Sequence, residues 1–112
     1  MAKVEIIESL RNEVYKKFKS ESKIIFRQML SLGNNPKKGK ILGNAAGMAI
    51  KELKYKNFRF YFISDGYKLK VMDEQELTDL LLKFVRMSDK KQQQETINEI
   101  RRILINLGPS GF

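Results

Sequence analysis

The sequence predicts one domain of the α+β class, with strands grouped in the middle of the chain and helices at both ends. Apolar residues recur at helical spacing over residues 10–32 and again over 97–107. Between these segments lie aromatic and β-branched runs with a period of two, clearest at 58–63. A chain of 112 residues has room for one hydrophobic core. We therefore expect a single domain over 1–112.

The N-terminal part predicts a strand followed by a helical hairpin. Residues 3–8 alternate around β-branched side chains, which indicates a short strand. A first apolar stripe then recurs every four residues, at Leu10, Val14 and Phe18. A second stripe covers 25–32, and the Ser-Glu-Ser sequence at 20–22 between them signals a helix start. We expect two packed helices, the second ended by Gly-Asn-Asn-Pro at 33–36.

The middle of the chain predicts a basic loop and three strands. Glycines and lysines indicate a loop over 36–47. Strands are expected over 49–55, 58–63 and 67–72, with a Ser-Asp-Gly turn at 64–66 that joins the last two as a hairpin.

The strand predicted at 58–63 has two different faces, because side chains alternate along a strand. Every even position from 58 to 62 is a phenylalanine, so that face must join the core. Arg59 and Tyr61 share the other face. We expect them to point away from the helices that cover the phenylalanines.

The C-terminal part predicts a connection, a strand or helix, and a final helix. Residues 73–79 are acidic and are expected to cap a turn or repel polyanions rather than hold a metal. The apolar run 80–87 fits a buried strand or a helix equally well. Ser88 or Asp89 is expected to cap the last helix, which Gly-Pro at 108–109 ends. The apolar stripe of that helix, which favours a core helix over a partner-docking one, is Ile97, Ile100, Leu104 and Leu107.

The formal net charge is +9, and it is unevenly distributed. Residues 1–72 carry 16 basic and 6 acidic groups, residues 73–79 carry 4 acidic groups, and residues 80–112 carry 6 basic and 3 acidic groups. Such a field attracts polyanions, chiefly nucleic acid, and makes their binding salt-dependent. On charge alone, a basic surface that serves only solubility is an equal alternative.

The residue types present exclude several kinds of chemistry. The chain has no histidine and no cysteine, so a histidine charge relay, a thiol nucleophile and a disulfide are impossible, and zinc lacks its preferred ligands. We expect no metal and no cofactor. No apolar run approaches the roughly 20 residues of a membrane span, and the N-terminus lacks the apolar segment of a secretion signal. The expected location is therefore the cytoplasm, without membrane contact.

Three stretches of the chain, taken in order, carry a family resemblance. They are LGNNPKKGKIL at 32–42, KELK at 51–54 followed by FRFYF at 58–62, and FVRMSDKKQ at 84–92. The first resembles an Asn-Pro loop, the second a Glu-Leu-Arg and Tyr-Arg strand pair, and the third a strand that runs into a Lys-Lys-x-Gln segment. In this order they resemble the RelE/HigB/ParE superfamily of toxin proteins.

The resemblance spans about residues 3–104 and leaves 105–112 as a C-terminal tail. It implies an N-terminal strand and helical hairpin packed on a small antiparallel sheet, a strand over 80–87, and a C-terminal helix. It also implies a function. The RelE and HigB branches are endoribonucleases that enter the ribosomal A site and cut mRNA, and an antitoxin encoded beside them neutralises them. The ParE branch instead poisons DNA gyrase.

RNA cleavage by internal transfer needs a base for the 2′-hydroxyl, cations at the phosphorus oxygens and an acid for the 5′-oxygen. The resemblance places Arg59 at the Tyr-Arg position, Lys54 at the arginine of Glu-Leu-Arg, and Arg86 where the last strand meets the helix. Tyr61 is a candidate acid or stacking residue. Two neighbouring lysines are candidate bases, Lys51 and Lys56. The lysines expected to bind RNA are Lys37, Lys38, Lys40, Lys51, Lys56, Lys90 and Lys91.

Several alternatives stay open on the sequence. Many family members carry a C-terminal tyrosine or histidine, but no tyrosine follows Tyr67 here, so the general acid is unassigned. Arg59 could also be a strand arginine paired with Glu52. The whole protein could be a non-catalytic nucleic-acid-binding protein, a ParE-like gyrase poison, or a scaffold with a basic surface only. The pattern of residues does not decide the oligomeric state, the antitoxin or the cleavage-site preference.

Overall fold

The computed structural model describes the backbone of residues 1–112 and every side chain except that of Glu74. In chain order its helices and strands are β1 (Lys3–Ile6), α1 (Glu8–Phe18), α2 (Ser22–Ser31), β2 (Lys40–Ala45), β3 (Met48–Tyr55), β4 (Phe58–Asp65), α3 (Gly66–Val71), β5 (Leu81–Asp89) and α4 (Gln93–Leu107). Short 3₁₀ turns lie at Lys19–Glu21, Glu74–Asp79 and Pro109–Gly111. The α+β class and the predicted order of strand, helical hairpin, central strands and C-terminal helix are confirmed.

One mixed sheet carries the fold, with strand order β1-β5-β4-β3-β2. β2, β3 and β4 form an antiparallel meander, and β5 runs antiparallel to β4. β1 runs parallel to β5, with Val4 opposite Leu82. The chain therefore crosses from β1 through α1 and α2 to the opposite edge of the sheet before it returns strand by strand.

Helices cover both faces of the sheet. The helical hairpin covers the phenylalanine face, where Leu10 and Met29 belong to the same buried cluster as Phe60 and Phe62. On the opposite face, α4 packs against Tyr61. The buried residues that α4 contributes there are Ile97, Ile100 and Leu104. The assignment of the phenylalanines to the core and of α4 to a core helix is confirmed, although Leu107 of the predicted stripe is exposed.

The break in the helical hairpin lies where the sequence predicts it. α1 ends at Phe18, and the next residue, Lys19, has φ of 51°, which no α-helix accommodates. The hydroxyl of Ser22 donates a hydrogen bond to the carbonyl of Lys19 over 2.5 Å. This bond closes the turn, so the chain enters α2 in a new direction.

The predicted loop at 36–47 is wrong over half of its length, because the chain forms strand β2 from Lys40 to Ala45. β2 is an edge strand, and its pairing with β3 is interrupted between Ile41 and Gly43. An edge strand with a bulge buries few side chains, so it shows no clean alternation of apolar residues. Only the pairing with β3 reveals it.

The predicted strand at 67–72 and its hairpin turn are also wrong. Residues Gly66–Val71 form α3, and the side chain of Asp65 caps it by accepting a hydrogen bond from the backbone N–H of Lys68 over 3.0 Å. Tyr67 and Val71 alternate with lysines as in a strand, but both are exposed. The cap and the burial of Leu69 therefore override the period of two.

The acidic connection forms a capped turn. The side chain of Asp73 and the side chain of Glu76 each accept a backbone hydrogen bond from the other end of the turn, as in a capping box. Part of the predicted role of this segment, the capping of a turn, is thereby confirmed, whereas the side chain of Glu74 lies outside the described residues. Among the helices of the described chain, none is long and apolar enough to cross a membrane.

Candidate active site and nucleic-acid interface

A basic cleft of about 510 Å³ opens on the α4 side of the sheet, beside the N-terminus of α4. It is lined by Lys38, Gly39, Lys40, Glu52, Leu53, Lys54, Arg59, Lys90 and Gln93. Five of these side chains are basic and one is acidic, which gives the lining a formal charge of +4. A smaller cavity of about 240 Å³ elsewhere on the surface is lined by two aspartates and two lysines, so it lacks such an excess. The larger cleft is the better candidate for a polyanion.

Strand alternation and register bring the cleft residues together. Glu52 and Lys54 are two positions apart in β3, so they share a face of the sheet. Lys54 is directly opposite Arg59 in the β3–β4 pair, and Lys40 is opposite Glu52 in the β2–β3 pair. Lys90 follows β5, on the other side of β4. The residues that line the cleft lie up to 55 positions apart in the chain, from Lys38 to Gln93.

Arg59 forms the floor of the cleft. Its side chain is only 8% exposed, and its Nε lies 3.7 Å from Oε2 of Glu52. No described side chain leaves a buried polar atom without a partner. The guanidinium has no recorded hydrogen bond among the described residues, so its N–H groups must reach solvent in the cleft. Arg59 is therefore placed to meet an anion from the cleft, and its predicted face is confirmed.

Glu52 is the carboxylate of this cleft, and reasoning from the sequence missed its potential role. It is buried, and it accepts a hydrogen bond from Nε2 of Gln93 over 3.2 Å, in addition to the contact with Arg59. The alternation of β3 already places Glu52 and Lys54 on one face. That pattern is the signal that could have identified the carboxylate as part of the site.

Four exposed lysines surround this pair, namely Lys38, Lys40, Lys54 and Lys90. The structure thus brings four of the residues predicted to bind RNA or to act on it into one cleft with Arg59. The N-terminus of α4, which begins at Gln93, adds the positive end of a helix dipole on the same side.

Lys51 and Lys56 lie outside the cleft, so neither is placed to supply the base. Lys51 points to the opposite face of the sheet and donates hydrogen bonds to the backbone carbonyls of Lys37 and Lys38. Burial lowers the pKa of Lys51. Lys56 lies in the β3–β4 turn, where its ammonium is 3.0 Å from the carboxylate of Glu21.

Tyr61 is on the predicted face of β4 and points away from the helical hairpin, but α4 packs over this part of the face. α4 covers the ring completely, and the hydroxyl shares a 2.7 Å hydrogen bond with the hydroxyl of Ser88. Burial raises the pKa of Tyr61. The side chain is therefore placed for packing and does not reach RNA as a stacking residue.

Arg86 is also separated from the cleft. Its Nε donates to the carboxylate of Glu99 over 2.6 Å, and its guanidinium lies 5.2 Å from the centre of the Phe112 ring. Glu99 follows Gln93 by six residues, which is about 9 Å along α4. Arg86 thus clamps the middle of α4 and the C-terminal residue to the sheet. It does not line the cleft, although the β4–β5 register places it opposite Tyr61, two positions from the partner of Arg59.

The two remaining predicted RNA-binding residues lie near the cleft without lining it. Lys37 is exposed and adjoins Lys38. Lys91 lines a neighbouring cavity of about 440 Å³ that also contacts Lys90 and the half-buried ring of Phe58. Both could extend the basic surface beyond the cleft along the path of a bound chain.

The cleft holds the groups that internal transfer at phosphorus requires. A carboxylate can accept the proton of a 2′-hydroxyl, and a guanidinium can bond two phosphate oxygens while it keeps its charge. Lysine ammonium groups can stabilise the developing charge and donate a proton to a leaving oxygen. Comparisons with profiles of protein families, with curated proteins and with solved structures found no match. Function therefore has to be inferred from the chemistry of the cleft.

Proposed function

We propose that this protein is a RelE-type toxin of a toxin–antitoxin pair and acts in the cytoplasm as a ribosome-dependent mRNA endoribonuclease. One observation carries the proposal: a single cleft places a buried carboxylate, Glu52, against an arginine, Arg59, within a ring of four lysines. Base, phosphate ligand and proton donors for RNA cleavage by transfer are thus present without any metal ion. The resemblance of residues 3–104 to the RelE and HigB branches gives additional support.

The proposed reaction is an internal transfer. Glu52 takes the proton of the 2′-hydroxyl, and the 2′-oxygen forms a bond to phosphorus. The bond between phosphorus and the 5′-oxygen breaks, and a lysine ammonium of the cleft returns a proton to that oxygen. Arg59 and Lys54 neutralise the charge that gathers on the two non-bridging oxygens. The products are a 2′,3′-cyclic phosphate and a 5′-hydroxyl end.

The charge of the lining supports RNA as the substrate and an acidic protein as the partner. A cleft of +4 attracts a sugar-phosphate chain, and the same field would attract the carboxylates of a neutralising antitoxin. The ribosome has a clear role in this proposal, because the cleft is broad and contains no exposed aromatic ring on which a base could be fixed. The ribosomal A site would hold the codon in place and so fix the position of the base that the cleft itself does not fix.

The proposal is tested in a translation extract with the purified protein. We expect mRNA to be cut within codons that ribosomes are translating, with 5′-hydroxyl ends downstream, and we expect no cuts when ribosomes are absent. Arg59→Ala should lower the cleavage rate by about 100-fold or more, the loss typical of removing a group that stabilises transition-state charge. The matched control is Arg102→Ala, an exposed arginine on α4 that does not line the cleft.

A result without cut mRNA, or with cuts unaffected by Arg59→Ala, would contradict the proposal. Cuts that appear equally on free RNA would also contradict its ribosome-dependent part. The fold of each variant is checked by circular dichroism, so that a loss of activity is assigned to the site.

A non-catalytic nucleic-acid-binding protein is the second candidate, and the burial of Tyr61 favours it. The cleft has no tyrosine hydroxyl to act as an acid, which leaves proton donation to lysines alone. This candidate predicts salt-sensitive RNA binding without scission. A gyrase assay separates the ParE-like alternative from these two candidates, because only a gyrase poison would trap linear DNA.

A further inference from the structure

A buried lysine lies directly behind the cleft. Lys51 is 1% exposed, and its Nζ lies 5.6 Å from the centre of the Phe62 ring. The ion pairs recorded among the described side chains do not include Lys51. Burying a charge without an opposite charge is costly, and an apolar side chain would suit the phenylalanine face better. What the ammonium group contacts must therefore explain why a lysine occupies this position.

The contacts are two backbone carbonyls of the segment that enters the cleft. Nζ of Lys51 donates to the carbonyl oxygen of Lys37 over 3.0 Å and to that of Lys38 over 2.8 Å. Carbonyl oxygens carry partial negative charge, so an ammonium can hold both, whereas an apolar or acidic side chain could hold neither. The side chains of Lys37 and Lys38 stay exposed while their carbonyls turn inward.

The next residue shows that the segment is pressed against the sheet at this point. Gly39 has φ of 104°, and a Cβ there would lie 3.0 Å from Cζ of Phe62 and 3.2 Å from the carbonyl oxygen of Glu52. The segment then enters β2 at Lys40, which pairs with Glu52. Lys38, Lys40 and Arg59 carry like charges and line one cleft, so a tether that fixes this segment opposes their mutual repulsion.

The alternation of β3 places that tether immediately behind the reacting groups. Lys51 and Glu52 are consecutive, so they point to opposite faces of the sheet. Lys51 holds the segment from one face, and Glu52 enters the cleft on the other. A change at position 51 can therefore disturb the cleft without removing any group that lines it.

We propose that Lys51 is a positioning residue of the basic cleft: it ties residues 37–40 to β3 so that Lys38 and Lys40 face RNA phosphates beside Arg59. This inference rests on the proposed function only in taking RNA as the ligand. It predicts that the contribution of Lys38 to RNA binding depends on the side chain at position 51.

A double-mutant cycle tests that dependence. Affinity for a single-stranded RNA of about 12 nucleotides is measured for the full chain and for Lys38→Ala, Lys51→Met and the double variant. Loss of one phosphate contact should weaken binding about five-fold near 0.1 M salt. We expect that loss for Lys38→Ala in the native background, and a loss below about two-fold in the Lys51→Met background. Equal losses in both backgrounds overturn the inference.

Lys83→Met is the matched control. Lys83 is also a largely buried lysine, 14% exposed, and donates to a backbone carbonyl, that of Pro109 over 3.0 Å, but it does not line the cleft. Its substitution should leave the five-fold effect of Lys38→Ala intact. Lys51→Arg keeps N–H donors and should restore most of the dependence on Lys38, which a loss of packing volume alone would not explain.

A second measurement needs no RNA, so it separates failure of this inference from failure of the proposed function. Hydrogen exchange should become faster in Lys51→Met at the amide of Lys38, which donates to the carbonyl of Asn35 over 2.9 Å, and in the residues up to Ile41. Lys83→Met should not change exchange there. Unchanged exchange in Lys51→Met overturns the inference even if RNA binds. If Lys51→Met does not fold, Lys51→Gln, which keeps amide donors on a shorter side chain, is measured in the same way.

Discussion

Glu52→Gln is expected to separate RNA binding from RNA cleavage. The substitution keeps the size of the side chain and replaces the carboxylate of the cleft by an amide, which raises the formal charge of the lining from +4 to +5. Each phosphate neutralised on a single strand contributes about 0.7 to the dependence of log affinity on log salt concentration. We therefore expect equal or higher RNA affinity at low salt, and a dependence on salt that is steeper by up to about 0.7.

Cleavage should respond in the opposite direction. If Glu52 takes the proton of the 2′-hydroxyl, loss of that base lowers the cleavage rate by about 10²- to 10⁴-fold. Fluorescence anisotropy of a labelled RNA over a salt series measures binding, and quantified mRNA ends from a translation extract measure cleavage. A conformational collapse of the cleft would reduce both, whereas loss of the base reduces only cleavage.

The stability cost of Glu52→Gln should be moderate. Removing one partner of a fully buried ion pair costs about 3–5 kcal/mol. This pair is longer, at 3.7 Å between Nε of Arg59 and Oε2 of Glu52, and the guanidinium reaches solvent in the cleft. The glutamine can also accept the hydrogen bond of Gln93. We expect a loss of about 1–2 kcal/mol, seen as a Tm lowered by about 4–12 °C. Cleavage at the native rate, or RNA affinity lowered ten-fold in the folded variant, would refute the assignment.

Three further predictions concern groups outside the cleft. Tyr61→Phe removes one buried hydroxyl bond and should cost about 1 kcal/mol of unfolding free energy, with mRNA cleavage within two-fold of the native rate; a hundred-fold loss would restore Tyr61 as a candidate acid. Arg86→Ala removes the contact with Glu99, so chemical denaturation should show lower stability while RNA affinity stays unchanged; a weakened affinity at equal folding would contradict the clamp. Hydrogen bonds from Tyr55 and Lys56 lower the pKa of Glu21, so its carboxyl should titrate below its ordinary range by NMR and move upward in Tyr55→Phe. This contribution to stability is present above the ordinary carboxyl pKa and is lost as pH falls through the lowered one; a Glu21 titration unchanged by Tyr55→Phe would refute the hydrogen bond.

The elements that could be predicted are those in which a local pattern and a tertiary role agree. α1 and α2 each bury a stripe at helical spacing, and β4 alternates between phenylalanines and other residues. The core around Phe60 and Phe62 follows from that alternation alone. The 67–72 segment alternates in the same way, yet it forms α3, because the cap supplied by Asp65 and the packing of one leucine outweigh the period. A short segment carries too few residues for its period to decide.

Only part of the candidate site could be predicted, because local sequence identifies some of its residues and distant contacts decide the others. Arg59, Lys54 and the lysines of 37–40 follow from local sequence and from the resemblance, and the structure brings most of them to one cleft. Tyr61 and Arg86 lie on β4 and β5, close to the cleft. However, α4 covers the ring of Tyr61, and Glu99 of α4 pairs with Arg86. A helix that is distant in the chain covers only part of a sheet face. The part that it covers depends on the path of the chain between the elements, and no local sequence pattern encodes that path.

The amino-acid sequence by itself determined the fold class, the sign of the surface charge, the absence of histidine and cysteine chemistry, and the two faces of β4. These properties depend on composition or on neighbours within a few residues. Only the tertiary structure decided that Arg59 lies on the floor of the cleft while α4 seals Tyr61, that Glu52 is the carboxylate of the cleft, and that Lys51 binds the loop carbonyls. Each of these outcomes depends on contacts between segments that are distant along the chain. The free energy of such contacts is set by how the helices pack on the sheet, and the conformational preference of a single residue does not determine it.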